Sequence, residues 1–169
     1  PAADHPPLTS FLLSPVTWLT EASGSFVTAQ RLTMTLIGVI SIVIMAMIGR
    51  LLAGDRVGTI AAVITAVYAN VWVNDGLIMA ETPTFFLVAI STLLALTYRR
   101  RRDIASLLGL GVTAGLLALT RPELAVVTVL GAALVFSVAS ADLSLATRSK
   151  RAALVLATSL VIVSPWILW

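Results

Sequence analysis

Residues 32–52 of this chain read LTMTLIGVISIVIMAMIGRLL, and Arg50 is the one charged side chain among them. The apolar residues do not alternate with polar ones, as they would in a strand of a membrane β-barrel. A helix of this length can cross a bilayer, which takes about 20 predominantly apolar residues. The stretch therefore predicts a transmembrane helix.

The composition of the whole chain predicts the same class of protein. Of its 169 residues, 59% are hydrophobic and 11% are charged, whereas about 25% are charged in an ordinary soluble domain. So few polar residues cannot cover the surface of a soluble domain of this size. The lack of cysteine excludes a disulfide framework and thiolate zinc sites, and the single histidine, His5, excludes a multi-histidine metal cluster.

Six apolar stretches that are long enough to cross a membrane follow one another, separated by short polar breaks. We predict spans at residues 32–52, 57–74, 79–98, 104–120, 122–141 and 152–168. The predicted fold is all-α, a polytopic transmembrane helical bundle of about six spans over residues 31–169. An outer loop and an interfacial amphipathic helix are predicted for residues 1–30.

The basic residues set the orientation of these spans. Nine of the 11 lie in alternate breaks, and the positive-inside rule assigns those breaks to the cytoplasm. The net charge of +3 is therefore an orientation signal, and we predict no nucleic-acid partner but a multi-pass protein of the inner or plasma membrane. The nine residues are Arg50, Arg56, Arg99, Arg100, Arg101, Arg102, Arg148, Lys150 and Arg151.

The segment before the first span, residues 8–21, is too short to cross a membrane and contains Pro15. Such a segment with polar residues along one stripe predicts a helix that lies in the membrane interface. Pro7 suits its first turn, where proline loses no needed N–H donor, and Pro15 is expected to kink it. At 100° per residue the stripe contains Ser10, Ser14, Thr17 and Glu21.

Most of the acidic residues and the remaining basic ones fall at the predicted outer ends of the helices. An arginine can bind phosphate oxygens in a bidentate way and stabilise a departing phosphate. A carboxylate can act as a general base toward a hydroxyl group. Beside lipid, this combination predicts a site for a lipid-linked phosphate. The candidate residues are His5, Arg31, Asp75, Glu81, Arg121 and Glu123.

Each candidate also has a structural interpretation. Residues 81–83 resemble a helix start, with Thr82 as the N-cap. Residues 121–123 form a tight turn whose charges complement the two helix ends. Residues 74–76 are an ordinary turn sequence, and His5 before two prolines can be a solvated loop residue.

In the middle of the predicted spans the polar residues are Ser, Thr and Gly, and no ionisable side chain lies at that depth. Transporters and pumps usually place carboxylates or histidines there, so the pattern disfavours a transporter. Gly111 and Gly115 form a Gly-x-x-x-Gly pattern, which predicts close packing against a neighbouring helix.

Short motifs along nearly the whole chain resemble the GT-C superfamily of membrane glycosyltransferases. Within that superfamily the chain is most similar to the protein-mannosyltransferase and lipid A aminoarabinose-transferase branch, with an actinobacterial character between Tyr68 and Glu81. The motifs, in order, are His5-Pro6-Pro7-Leu8, Gln30-Arg31-Leu32, Gly49-Arg50-Leu51-Leu52-Ala53-Gly54, Tyr68-Ala69-Asn70-Val71-Trp72-Val73-Asn74-Asp75-Gly76, Glu81-Thr82-Pro83, Leu119-Thr120-Arg121-Pro122-Glu123 and Pro165-Trp166.

The resemblance implies a hexosyl or pentosyl transferase that moves a sugar from a polyprenyl-phosphate donor to an acceptor hydroxyl on the outer side of the membrane. The acceptor is a glycan, a lipid or a protein. By resemblance, the segment around His5 borders the donor-phosphate pocket, with Arg31, Glu81 and Arg121 near it. Some relatives use a divalent metal, and the metal requirement of this chain stays open.

The family's catalytic acid lies in the first outer loop, which would precede Pro1, so the resemblance implies that this piece of the protein is inactive alone. Two alternatives remain at this stage. One is a flippase or transporter of polyprenyl lipids, and the other is a non-catalytic membrane subunit of a cell-envelope complex.

Overall fold

The structure, a computed structural model, describes residues 7–21, 24–138 and 143–168, without the side chain of Asn70. All regular secondary structure in these ranges is helical, which confirms the predicted all-α fold. The α-helices are α1 (Leu8–Thr20), α2 (Phe26–Ala53), α3 (Asp55–Val67), α4 (Ala69–Asp75), α5 (Glu81–Arg101), α6 (Ile104–Thr120), α7 (Val126–Val138) and α8 (Leu145–Ile167), and a 3₁₀ turn, Pro122–Ala125, precedes α7.

Three of these helices, α2, α5 and α8, are long and apolar enough to cross a membrane. Two of the other predicted spans, 104–120 and 122–141, form shorter apolar helices. At 1.5 Å per residue, α6 extends about 26 Å, slightly less than the hydrocarbon core of a typical bilayer. The predicted span at 122–141 forms the 3₁₀ turn and α7, and its last residues, 139–141, lie outside the described part of the chain.

The prediction of one continuous helix over residues 57–74 is wrong. Helix α3 ends at Val67, Tyr68 has an extended backbone (φ −73°, ψ 109°), and α4 follows as a helix of seven residues. An apolar run carries no signal for this break, because Tyr68 is neither glycine nor proline. The break lets α4 pack against α2, as its contacts with that helix show.

The chain forms two compact units, Pro1–Ala89 and Ile90–Trp169, which divide within α5. In the first unit, α2 and α3 form a helical hairpin that reverses at Gly54, whose positive φ of 87° suits glycine. Close to the reversal the backbones nearly touch, because a Cβ atom on Gly49 would lie 2.8 Å from the carbonyl oxygen of Val57. The hairpin is therefore fixed by small residues at its closed end.

In the second unit, α6 packs against α8 through the predicted glycine pair. A Cβ atom on Gly111 would lie 2.7 Å from Cβ of Thr158, and one on Gly115 would lie 2.8 Å from Cβ of Ile162. This contact confirms the packing role of the pair. The adjoining hydrophobic core consists of Tyr98, Leu107, Leu110, Ala132, Val135 and Val155.

We expect Gly115→Val to lower the free energy of unfolding by about 1–3 kcal/mol, the usual cost of overpacking. The added side chain meets Ile162 and the backbone oxygen of Ser159, which cannot swing aside. Thermal unfolding of the detergent-solubilised protein measures the effect. Gly76→Ala is the matched control, since no atom lies within 4 Å of a Cβ there. Equal unfolding temperatures for the two variants would contradict the tight α6–α8 contact.

Candidate functional site

The carboxyl group of Asp75, at the end of α4, packs directly on Gly38 in α2. One turn earlier in α2, the hydroxyl of Thr35 donates a hydrogen bond to the backbone oxygen of Asp75 at 3.3 Å. Only a glycine leaves room at this point, because a Cβ atom on Gly38 would overlap the carboxyl. The Asp75 carboxyl thus occupies the space that the missing side chain of Gly38 leaves free.

This position differs from the outer-rim turn expected from the sequence. The chain does turn here, and the N–H of Leu77 donates to the carbonyl of Asn74 at 3.0 Å. Gly38, however, lies six residues inside the predicted span at 32–52, about 9 Å along the helix. The Asp75 carboxyl therefore reaches alongside a predicted membrane helix, whereas the sequence pattern places the ionisable side chains at the helix ends.

Helix α5 contributes a third contact to Asp75. The hydroxyl of Thr82 donates a hydrogen bond to Oδ1 of Asp75 at 3.1 Å, and Thr82 itself is buried. The prediction that Thr82 is an N-cap is wrong, because α5 already begins at Glu81. Burial raises the pKa of Asp75 above 3.8, and the Thr82 hydrogen bond partly offsets this effect.

A cavity of about 440 Å³ lies beside this carboxylate, within the first unit. Its wall is mainly apolar, and Asp75 and the half-buried Glu81 supply the carboxylates. A mainly apolar pocket of this size with a few polar groups is typical of small-molecule sites. The lining residues are Met45, Ile64, Thr65, Tyr68, Val71, Asn74, Asp75, Glu81, Thr82 and Phe85.

The predicted candidate Arg31 lies one turn before Thr35, whose hydroxyl donates to the carbonyl oxygen of Arg31 at 3.0 Å as well as to Asp75. The Arg31 side chain is exposed. The structure thus brings Asp75 and Glu81 to one cavity, with the backbone of Arg31 linked to that of Asp75 through one hydroxyl.

The candidates Arg121 and Glu123 lie in the second unit. Arg121 ends α6 with an extended backbone, its N–H donates to the carbonyl of Leu117 at 3.0 Å, and its carbonyl accepts from Leu124 at 2.9 Å. The half-buried Arg121 and the exposed Glu123 therefore flank Pro122 in a tight turn, as predicted. The remaining candidate, His5, lies outside the described residues.

A second, open groove of about 570 Å³ runs along α1 in the first unit. All four residues of the predicted polar stripe line it, which confirms that they share one side of the helix. The side-chain amide of Gln30 in α2 donates a hydrogen bond to the hydroxyl of Thr17 in α1 at 2.6 Å and so links the two helices. The interfacial position of α1 stays a prediction.

No sequence pattern assigned a site role to Thr35, Gly38, Thr82 or Gln30. Their sequence signal was weak, because each is a small or neutral residue within or beside an apolar run. The hydroxyl of Thr84, in the first turn of α5, is also buried and has no hydrogen-bond partner among the described residues. In the same described ranges, no three His, Cys, Asp or Glu side chains come close enough to hold a metal ion.

Residues 4–169 match the sequence model of the family described as dolichyl-phosphate-mannose-protein mannosyltransferase. No curated protein and no solved structure matches the chain.

Proposed function

Because the chain belongs to the dolichyl-phosphate-mannose-protein mannosyltransferase family, we propose that it is part of a membrane glycosyltransferase whose donor is a polyprenyl-phosphate sugar. The sugar is transferred to an acceptor hydroxyl on the outer side of the membrane. The family match establishes the general class, a GT-C glycosyltransferase. The observation that carries the finer proposal is the apolar cavity with Asp75 and Glu81 in its wall.

The cavity suits the two halves of such a donor. Apolar side chains such as Met45, Ile64 and Phe85 match an isoprenoid chain, which gains by leaving water. A carboxylate accepts hydrogen bonds and does not donate them, so Asp75 and Glu81 match the hydroxyl groups of a sugar rather than its phosphate.

The phosphate requires positive charge, which in this proposal comes from arginine. Arg31 and Arg121 are candidates because a guanidinium binds phosphate through two parallel hydrogen bonds. His5 precedes these arginines in the sequence and Glu123 follows them. Both are further substrate-binding candidates.

The proposed sugar transfer requires only the donor and the acceptor as reactants. The acceptor oxygen forms a bond to the anomeric carbon, while the bond from that carbon to the phosphate oxygen breaks. Polyprenyl phosphate leaves with the bonding electron pair, and a carboxylate takes the hydroxyl proton. The transition state has oxocarbenium character, as in other glycosyl reactions. In this proposal the residues of this chain bind and orient the donor.

Transfer of a labelled sugar from polyprenyl phosphate by the intact protein tests this function. We expect Glu81→Gln and Arg121→Gln each to lower kcat/KM about tenfold, because each removes a charge-assisted hydrogen bond worth about 1.5–3 kcal/mol. Expression of both variants should be normal.

Matched controls for these variants are Asp55→Asn and Arg56→Gln, which alter exposed charges near the hairpin turn. We expect both controls to transfer sugar at the wild-type rate. Wild-type rates in the Glu81 and Arg121 variants would reduce those residues to structural parts of helix ends. Movement of the donor lipid across the membrane without sugar transfer would instead favour a flippase.

A further inference from the structure

The second unit concentrates positive charge where α5 ends and α8 begins. Four consecutive arginines end α5 and the turn after it, and three basic residues occupy the first two turns of α8. The side chain of Arg151 joins the two segments, since its Nη1 lies 3.3 Å from the hydroxyl of Tyr98 and 3.5 Å from the carbonyl of Arg102. This basic cluster comprises Arg99, Arg100, Arg101, Arg102, Arg148, Lys150 and Arg151.

The cluster is anchored to the hydrophobic core of its unit. Tyr98, which Arg151 contacts, is fully buried in that core. Arg148 donates from Nε to the carbonyl of Phe136 in α7 at 2.9 Å, and its guanidinium lies 4.7 Å from the centre of the Phe136 ring. Cationic groups from two segments about 50 residues apart are therefore held in one place by packed helices.

The described parts of these two segments contain few acidic residues. Residues 99–106 contain one acid, Asp103, and residues 145–151 contain none. The carboxylate of Asp103 accepts hydrogen bonds from the N–H and hydroxyl of Ser106 at 2.6 and 3.1 Å, where it caps α6. These bonds hold the pKa of Asp103 below 3.8, so the group is ionised and committed to the helix start. The cluster thus keeps a large excess of positive charge.

Exposed apolar side chains directly adjoin the cluster. Ile104 and Leu145, at the first positions of α6 and α8, are 68% and 66% exposed. The cluster also lies at one end of each of two helices long enough to cross a membrane, α5 and α8. Positive charge next to uncovered apolar surface at a membrane boundary matches a molecule with an anionic head and acyl chains.

We propose that the basic cluster binds the phosphate headgroup of an anionic phospholipid, with the acyl chains beside Ile104 and Leu145. By the positive-inside rule, this lipid belongs to the cytoplasmic leaflet. The site lies apart in sequence from every residue proposed to bind the sugar donor. A lipid is favoured over free phosphate because its acyl chains can cover the exposed Ile104 and Leu145 side chains, which a soluble anion cannot do.

The experiment compares dioleoyl phosphatidylglycerol with dioleoyl phosphatidylcholine, both bound to the purified full-length protein in detergent and counted by native mass spectrometry. We expect Arg101→Gln and Lys150→Gln each to weaken phosphatidylglycerol binding about fivefold, the equivalent of about 1 kcal/mol for one basic residue near an anionic surface. Both residues are exposed, so folding and sugar transfer should be retained. Higher salt should weaken the binding.

The control Arg56→Gln removes an exposed charge that is predicted to lie on the same membrane side but belongs to the first unit, and it should leave lipid binding unchanged. Equal binding of the two lipids, or an equal loss in Arg56→Gln and Arg101→Gln, would overturn the proposal. Competition by glycerol phosphate as effective as that by the lipid would also overturn it, in favour of a soluble anion. A reporter fused at Arg101 should read cytoplasmic, and an outside reading would refute the assigned leaflet.

Discussion

Replacing Asp75 with alanine is expected to lower kcat/KM for sugar transfer about 10- to 100-fold, the equivalent of losing about 1.5–3 kcal/mol of charge-assisted hydrogen bonding. The carboxyl accepts from Thr82, rests on Gly38 and forms part of the cavity wall. Its removal therefore takes away both a proposed contact to the sugar and the link between the start of α5 and α4. Steady-state transfer from labelled donor measures the loss.

The variant Asp75→Asn separates these two effects. Asparagine keeps the size of the side chain and an oxygen that can accept from Thr82, but it loses the negative charge. If the charge binds the sugar, transfer falls in Asp75→Asn while the unfolding temperature stays near that of the wild type. A loss of stability with unchanged transfer would show that Asp75 is only a structural link. Asp55→Ala, at an exposed acid paired with Arg50, is the control for a lost carboxylate.

The pKa of the Asp75 carboxyl should also determine how the rate of sugar transfer depends on pH. Its carboxylate form is the one proposed to accept hydrogen bonds from the sugar, so transfer should fall as pH drops through its pKa. Since burial raises that pKa above 3.8, the fall should begin nearer to neutral pH than for an exposed aspartate. The same acid limb should be missing from the pH profile of Asp75→Asn.

The parts of the fold that could be predicted from the sequence depend on local patterns. The apolar runs gave the helical class, the spacing of Gly111 and Gly115 gave a packing face, and the stripe from Ser10 to Glu21 gave one side of α1. Each of these signals repeats along one helix, so it can be recognised without knowing what lies opposite.

The missed features depend on partners distant in the chain. The meaning of Gly38 becomes clear only when α4 brings Asp75 against it, 37 positions later. Thr82 follows the sequence pattern of a helix cap, but α5 begins one residue earlier and the Thr82 hydroxyl donates to the Asp75 carboxylate. The break at Tyr68 likewise results from packing rather than local propensity. The charges at the predicted outer helix ends identified Asp75 and Glu81 as candidates, but their shared cavity required the three-dimensional structure.

Gly38→Ala tests the central contact of the site from the opposite side. The added methyl group would overlap the Asp75 carboxyl, so the carboxyl must leave its place between Gly38 and Thr82. We expect transfer to fall at least as far as in Asp75→Ala, and the free energy of unfolding to fall by about 1–3 kcal/mol from overpacking. Gly76→Ala, at a glycine with open space around it, should change neither quantity.

The double variant Gly38→Ala/Asp75→Ala gives the sharpest form of this test. The three atoms nearest to a Cβ on Gly38 all belong to the Asp75 carboxyl, and the alanine at position 75 removes every one of them. The destabilisation caused by Gly38→Ala should therefore largely disappear in the Asp75→Ala background, so the two changes are strongly non-additive. Additive losses in the unfolding free energy would mean that Gly38 and Asp75 do not touch.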